Sequence, residues 1–235
     1  MERKHALIVI PTYNERENLE ELLEGIRSHT PHADVLLVDD GSPDGTGEYA
    51  EQLGARLGGV EVLQRGRRLG IGSAYIEGFE RGLASGYRWL LSMDADLSHE
   101  PRYLPGLMAA AESADVAVGS RYLRGVSVVN WSLKRLALSV AANAYVRRVT
   151  GLPVRDCTSG FQCFRREVLE AIDVSRLRFS GYSFLVEIKY RAHRQGFKLC
   201  EVPIVFIDRR FGLSKISPDE ILRSVWAVWA MRLRR

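Results

Sequence analysis

Two aspartates, Asp94 and Asp96, close an apolar run from Tyr87 to Met93 in the segment Ser92-Met93-Asp94-Ala95-Asp96-Leu97-Ser98-His99. Carboxylates so placed can hold a hard divalent cation such as Mg²⁺ or Mn²⁺, which is commonly bound by one or two carboxylates plus substrate phosphates. Taken alone, the pair also suits turn or helix-cap chemistry. Two earlier segments share its layout. Ala6 to Ile10 is an apolar run ending in Pro11-Thr12-Tyr13-Asn14-Glu15, and Val35 to Val38 is another, ending in Asp39-Asp40-Gly41-Ser42-Pro43-Asp44-Gly45-Thr46.

The elements that must position these residues follow from periodicity. Strand-like runs (6–10, 35–39, 60–64, 87–93, 115–119) alternate with helical patterns (16–28, 44–57, 73–84, 102–112), the signature of an α/β fold with a parallel-rich sheet. Ligands of such sheets bind in the crevice outside the carboxyl ends of the strands, where all three polar segments would converge. Pro101 fits the first turn of a helix. Beyond Tyr122 the alternation breaks: 126–150 and 165–195 look helical, 199–207 extended, and 217–233 a final helix.

Composition sets bounds. With 235 residues, 46% hydrophobic and 26% charged, the chain reads as one globular domain with a sizeable core. A net charge of +4 is mildly basic, and the basic residues are dispersed with no recognition module, which argues against nucleic acid. Cys157, Cys163 and Cys200 have no zinc or disulfide spacing and suit a reducing compartment such as the cytosol. No stretch approaches the roughly 18 apolar residues of a membrane span, and the run at 6–10 is too short for a signal peptide. A soluble or peripheral protein is expected.

Seven segments, in order along nearly the whole chain, carry a family resemblance: IPTYNE (10–15), VDDGSPDGT (38–46), GIGSA (70–74), MDADLSHEP (93–101), GSRY (119–122), DCTSGFQCFRRE (156–167) and DRRFGLSK (208–215). Together they resemble the glycosyltransferases of family 2, in particular the polyprenyl-phosphate (dolichol-phosphate) mannose synthases. The resemblance implies a GT-A type fold, a single Rossmann-like domain with a mostly parallel central sheet, a nucleotide-sugar donor and Mg²⁺ or Mn²⁺. Residues 1–122 would form the nucleotide-sugar and metal half, and 123–235 the acceptor half.

On the donor side the resemblance assigns Pro11, Tyr13, Glu15, Val38, Asp40, Asp94, Ala95 and Asp96, with Arg209 and Lys215 from a late loop that closes over the phosphates. The local alternative is a capped helix, with Asn14 as N-cap and Glu15 near the positive helix end. Asp39 reads equally as a structural carboxylate, and Gly41, Gly45, Gly70 and Gly72 primarily as turn residues, only Gly70–Gly72 having a place near the pyrophosphate. The metal is assigned to Asp94 and Asp96. A common form of the motif has a metal-contacting glutamine at the position of Ser98; serine is shorter and neutral, so a water can stand between Ser98 and the metal. His99, with no partner histidine at metal-site spacing, reads as a turn or supporting residue.

The acceptor side follows from chemistry. A phosphate monoester is already anionic near neutrality, its second pKa being about 6, so it needs no general base. It needs positive charge to seat it beside the sugar. The resemblance assigns that task to Arg121, with Arg135, Ser139 and Ser214; Arg135 and Ser139 are spaced i, i+4 on one helix face. Asp156 then reads as a loop tie rather than a base, and Glu187 stays open between roles. Arg121 and Asp96 are the expected catalytic residues.

The expected reaction is inverting, metal-dependent transfer of a hexose, mannose from GDP-mannose foremost, to a polyprenyl phosphate on the cytoplasmic face of a membrane. Two segments would meet that surface as interfacial helices, 131–149 and 217–233, the latter with Ile221, Leu222, Val225, Trp226 and Trp229 on one stripe. The competing structural reading packs that stripe in the core. A separate membrane-anchor subunit is a compatible partner. The alternatives are a transferase using a UDP-sugar and a nucleotide-binding regulatory subunit on a decayed transferase fold; a processive synthase lacks support, since Gln-x-x-Arg-Trp and membrane spans are absent.

Overall fold

Along Ala6–Thr12 (β1), successive side chains enter two different cores: Leu7 and Val9 face one, Ala6, Ile8 and Ile10 the other. A strand buried on both faces belongs in the middle of a parallel sheet covered by helices. The computed structural model, which describes residues 5–179, 181–208 and 218–233, has this arrangement. β2 (Ala33–Asp39) and β4 (Trp89–Ser92) flank β1 in parallel, and β3 (Val60–Gln64) pairs in parallel with β2. On the other side β7 (Gln162–Arg165) lies antiparallel between β4 and β5 (Val116–Ser120), and β8 (Leu199–Pro203) runs parallel to β5. The sheet order is β3-β2-β1-β4-β7-β5-β8.

Helices α1 (Leu19–His29), α2 (Thr46–Leu57) and α4 (Leu104–Ser113) cover one face. The other carries α3 (Ile71–Ala84), α6 (Arg166–Ile172) and α7 (Tyr182–Arg194), joined by α5 (Leu133–Thr150) and α8 (Pro218–Leu233). Helix α3 sits unusually close to the sheet. A methyl group on Gly82 would lie 2.6 Å from Leu90 and 2.9 Å from Leu7, and one on Gly78 would collide with Val9. These glycines share the inner face with Tyr75 and Phe79, so glycine here is a condition for close approach.

Because β1, β2, β4 and β5 point the same way, their carboxyl ends share one edge. The chain order reverses between β1 and β4, so the crevice at that switch point is the expected ligand site. The reversed strand β7 brings the loop before it, 156–161, to the same edge.

The expected α/β class and mostly parallel sheet are present, and so are the five expected strands. Three expectations need correction. The helix expected over 126–150 begins only at Leu133, where the Ser132 hydroxyl accepts from Arg135 N–H; before it, β6 (Val128–Val129) pairs with β9 (Phe206–Ile207). The continuous helix expected over 165–195 is two: α6 stops at Asp173, which takes φ +52°, and α7 starts at Tyr182. Asn14 is not a helix N-cap, for it has φ +58° and a turn of 3-10 helix, Arg16–Asn18, precedes α1. Among the described residues no helix is long and apolar enough to cross a membrane.

Candidate active site

At the end of β4 the chain turns sharply. Met93 is fully buried, and Leu97 adopts φ +60°, a left-handed conformation unfavourable to leucine. Ser98 folds back so that its N–H (3.2 Å) and hydroxyl (2.5 Å) both donate to Oδ1 of Asp96. With 1% of its surface exposed, Ser98 braces Asp96. His99 is buried, stacked on Phe161 (4.8 Å between centroids) and edge-on to Phe206. Its Nδ1 accepts the N–H of Asp94 at 3.0 Å. An accepting ring nitrogen carries no proton, which assigns the imidazole proton to Nε2. The 3.8 Å approach of Nδ1 to Asp94 Oδ2 is therefore no ion pair. The Tyr75 hydroxyl, from α3, donates to Asp94 Oδ1 at 3.2 Å.

Asp94 and Asp96 thus stand on one braced loop as hard oxygen donors. Among the described residues no three His, Cys, Asp or Glu side chains converge on a metal-sized site. Two carboxylates with room for substrate oxygens fit Mg²⁺ or Mn²⁺, which rely on phosphates to complete their shell, and do not fit a structural zinc site.

The ends of β1 and β2 form the opposite wall. Tyr13 is half-buried, with the Arg68 guanidinium 4.5 Å above its ring. Glu15 accepts from Asn18 Nδ2 at 2.8 Å, and its own N–H donates to Thr46 Oγ1 at 3.1 Å. Pro11 is half-buried beside them. Val38 and Ala95 are buried with their side chains in the core, so any contact they make with a ligand belongs to the main chain. Asp39 is a structural carboxylate, accepting from the hydroxyls of Thr12 (2.9 Å) and Ser42 (2.6 Å) and from Ser42 N–H. Asp40, expected to meet base or ribose, accepts within the protein from Arg65 Nε (2.7 Å) and from the N–H groups of Leu69 and Gly70 (3.2 and 2.7 Å). Its carboxylate fastens the loop that leads into α3, where Gly70 takes φ +95°.

Across the crevice, Arg121 follows β5 and is buried. Its Nε and Nη2 donate to the two oxygens of Asp156 at 2.7 and 2.6 Å, and Nη2 also reaches Thr158 Oγ1 at 2.8 Å. The rings of Tyr122, Trp131 and Phe206 surround the guanidinium at 5.4–5.5 Å. Burial pushes the Asp156 carboxyl up, but the charge and hydrogen bonds of Arg121 outweigh it and hold the pKa below the usual value. Asp156 is therefore a committed carboxylate. Lys189, fully buried, donates to the Ser159 carbonyl at 2.9 Å, and burial lowers its pKa to about 7.

Helix α5 adds further donors. Arg135 stacks on Trp131 at 4.2 Å and pairs with Asp208 at 2.6 Å, while Ser139 Oγ accepts from the Tyr122 hydroxyl at 2.7 Å. The indole nitrogen of Trp131 is buried without a hydrogen-bond partner among the described residues. Glu187, left open by the sequence, fastens a loop: it accepts from the N–H groups of Arg178 and Phe179 and from Arg191. Arg209, Ser214 and Lys215 lie outside the described residues.

A model of glycosyl transferase family 2 matches residues 7–173. The chain belongs to that family. It is 44% identical, over 98% of its own length and 89% of the relative's, to a polyprenol monophosphomannose synthase of Mycolicibacterium smegmatis. It is also 44% identical, over 97% and 95%, to an undecaprenyl-phosphate mannosyltransferase of Micrococcus luteus. In fold it is similar to the glucosyl-3-phosphoglycerate synthase of Mycobacterium tuberculosis solved with Mn²⁺, uridine diphosphate and product, at TM-score 0.66 and 21% identity, over 99% of this chain and 79% of that one.

The chain is thus a family 2 glycosyltransferase with a GT-A-like fold, and the strand-end loops named from its sequence lie along one edge of the sheet. Sequence reasoning missed the Tyr75 contact to Asp94, the aromatic cage around Arg121 and the buried Lys189. Only the cage had a local signal, since Trp131 and Arg135 stand four apart. Tyr75 and Lys189 read as ordinary members of helices.

Proposed function

We propose that this glycosyltransferase moves mannose from GDP-mannose to a polyprenyl phosphate, with inversion, at the cytoplasmic surface of a membrane. The observation that carries this reading is the commitment of Asp156. A hydroxyl acceptor would need a general base in the acceptor half. The two carboxylates buried there among the described residues are committed: Asp156 bonds Arg121 through both oxygens and is held ionised, and Glu187 accepts from the N–H groups of Arg178 and Phe179 and from Arg191. An acceptor that arrives already ionised removes that need. The two 44% identical relatives, both named for mannose and polyprenyl phosphate, point the same way.

In this reading Pro11, Tyr13 and Glu15 line the nucleotide side, with Arg209 and Lys215 over the phosphates, and residues 1–122 supply the donor half. Asp94 and Asp96 would hold Mg²⁺ or Mn²⁺, which would stabilise the leaving diphosphate as a Lewis acid. Arg135, Ser139, Ser214 and the rim of the Arg121 cage seat the acceptor phosphate. One of its oxygens attacks the anomeric carbon as the bond to the donor diphosphate breaks, so the rate derives from orientation and electrostatics rather than proton abstraction. The Trp131 indole nitrogen, buried without a partner among the described residues, and the Arg121 and Arg135 guanidinium groups over its ring favour an anionic occupant.

The membrane part rests on α5 and α8, which leave Leu133, Trp226 and Leu233 at least three-quarters exposed. The three free cysteines suit a reducing compartment. The deciding experiment supplies purified protein with polyprenyl phosphate, Mg²⁺ or Mn²⁺, and labelled GDP-mannose, UDP-glucose or UDP-N-acetylglucosamine in separate reactions. Mannolipid from GDP-mannose alone is expected. Glycolipid formed only from a UDP-sugar would overturn the mannose assignment, and no glycolipid from any donor would overturn the reaction.

A further inference from the structure

We propose that Tyr75 is a positioning residue that presets the cation-holding carboxylate of Asp94; this rests on the metal-dependent reading above. Tyr75 lies in the first turns of α3 with none of its surface exposed. Its ring stacks between Phe79 (5.8 Å, 21°) and Phe184 (5.9 Å, 2°), which fixes the ring plane and hence the direction of the hydroxyl. The phenol is a buried polar group in an apolar stack, and its bond to Asp94 Oδ1 is what satisfies it.

The surrounding fold makes this contact rigid. Tyr75, Gly78 and Gly82 recur at helical spacing on the face of α3 that meets the sheet, and the two glycines let that face press on Val9 and Leu90. At the start of the helix, Gly70 N–H is held by Asp40, and Gly72 lies against Phe184 and the Phe179 carbonyl. Tyr75 is therefore delivered to the carboxyl edge of β4 by a helix that cannot easily swing. Asp94 itself stands on an irregular loop, its main chain held by His99. The hydrogen bond from Tyr75 constrains the carboxylate plane. A cation with only two protein carboxylates depends on their orientation, and partners that orient metal ligands typically change affinity about 10–100-fold when removed.

The substitution Tyr75→Phe keeps the ring and its stacking and deletes only the hydroxyl. Mn²⁺ affinity, read by electron paramagnetic resonance with saturating GDP, is expected to weaken about tenfold. GDP affinity without metal and the circular dichroism spectrum should stay as in the parent. In an Asp94→Asn background the same substitution should make no further difference, because its effect is routed through that carboxylate. Unchanged Mn²⁺ affinity in folded Tyr75→Phe would overturn the proposal, and so would an equal loss in both backgrounds. If Tyr75→Phe unfolds, the hydroxyl is a folding determinant and the proposal fails as stated. Should the parent itself bind no Mn²⁺ with GDP, the metal-dependent reading fails instead, and the two failures are thereby told apart.

Discussion

Two buried arginine–aspartate pairs stand on opposite sides of the crevice, and they are built differently. Asp40, just after β2, bonds to Arg65, 25 residues on and just after β3, and takes two further N–H groups from Leu69 and Gly70 of the loop that follows Arg65. Arg121 and Asp156 are joined across the fold, within reach of Thr158, the Asp156 N–H bond to Glu201, three aromatic rings and the electrostatic field of Lys189. The first pair shapes a loop; the second is part of the core. The donor half therefore carries its pair on the loop that leads into α3, whereas the acceptor side carries its pair among aromatic rings and further buried charges.

Breaking the second pair should have the largest effect. Arg121→Ala leaves Asp156 buried without its main counter-charge, and removing one partner of a buried pair typically costs about 3–5 kcal/mol. A matching loss in urea unfolding is expected. A variant with parent-like stability would show that water reaches Asp156 and that the cage is open. This loss of fold also means that Arg121→Ala is a poor probe of acceptor binding, although the sequence alone suggests it as the natural one.

Asp96→Asn is the donor-side counterpart. Asn Oδ1 can keep both bonds from Ser98, so the melting temperature should stay close to that of the parent. Transfer should fall on the order of 100-fold or more, as for loss of an electrostatic stabiliser of a leaving group. Near-parental transfer with Mg²⁺ or Mn²⁺ present would remove Asp96 from the reaction.

The same contrast explains what could be read from the sequence. The donor half follows regular alternation, and β1, β2 and β4 announce themselves by apolar runs ending at polar loops. The acceptor half hides its architecture because its decisive elements are short or remote in sequence. Strand β7 is the four-residue Gln162-Cys163-Phe164-Arg165, with no usable period, and it enters the sheet between strands formed far earlier. The pairing of Arg121 with Asp156 spans 35 residues, and Lys189 reaches Ser159 over 30. Residue types singled out Arg121 for the acceptor phosphate, and the fold adds that its guanidinium is bonded to Asp156 and Thr158.

Lys189 gives a pH handle on the acceptor half. Burial lowers its pKa to about 7 in the fold, against roughly 10.4 in an unfolded chain. Between these values the unfolded chain binds one more proton, so stability rises with pH across the window and is lost as pH falls toward 7. The slope from this group is at most about 1.4 kcal/mol per pH unit. Lys189→Met should flatten that segment of the stability curve measured by denaturant titration from pH 7 to 10. An unchanged slope would mean that Lys189 keeps its charge when buried and that another group titrates.

The smallest expected effect on the fold, and the sharpest on location, concerns α8. Its inner side is settled by the core: Ala227, Val228 and Met231 are buried with α5 and α7 nearby. Trp226 and Trp229 stand on the other side, 77% and 46% exposed, with Leu233 continuing the stripe and Arg223 and Arg232 exposed beside it. The core is thus packed by a different stripe from the one named in the sequence, whose described members Val225, Trp226 and Trp229 are exposed. Side chains already facing water contribute little to stability, so Trp226→Ser with Trp229→Ser should melt like the parent. Binding to anionic liposomes in a pelleting assay should drop at least about tenfold, since one indole at the interface is worth more than 1.4 kcal/mol of apolar burial. If the double variant melts early while its folded fraction still pellets with vesicles, the tryptophans belong to the fold, and the exposed face of α5 around Leu133, Leu138 and Val140 becomes the surface to cut next.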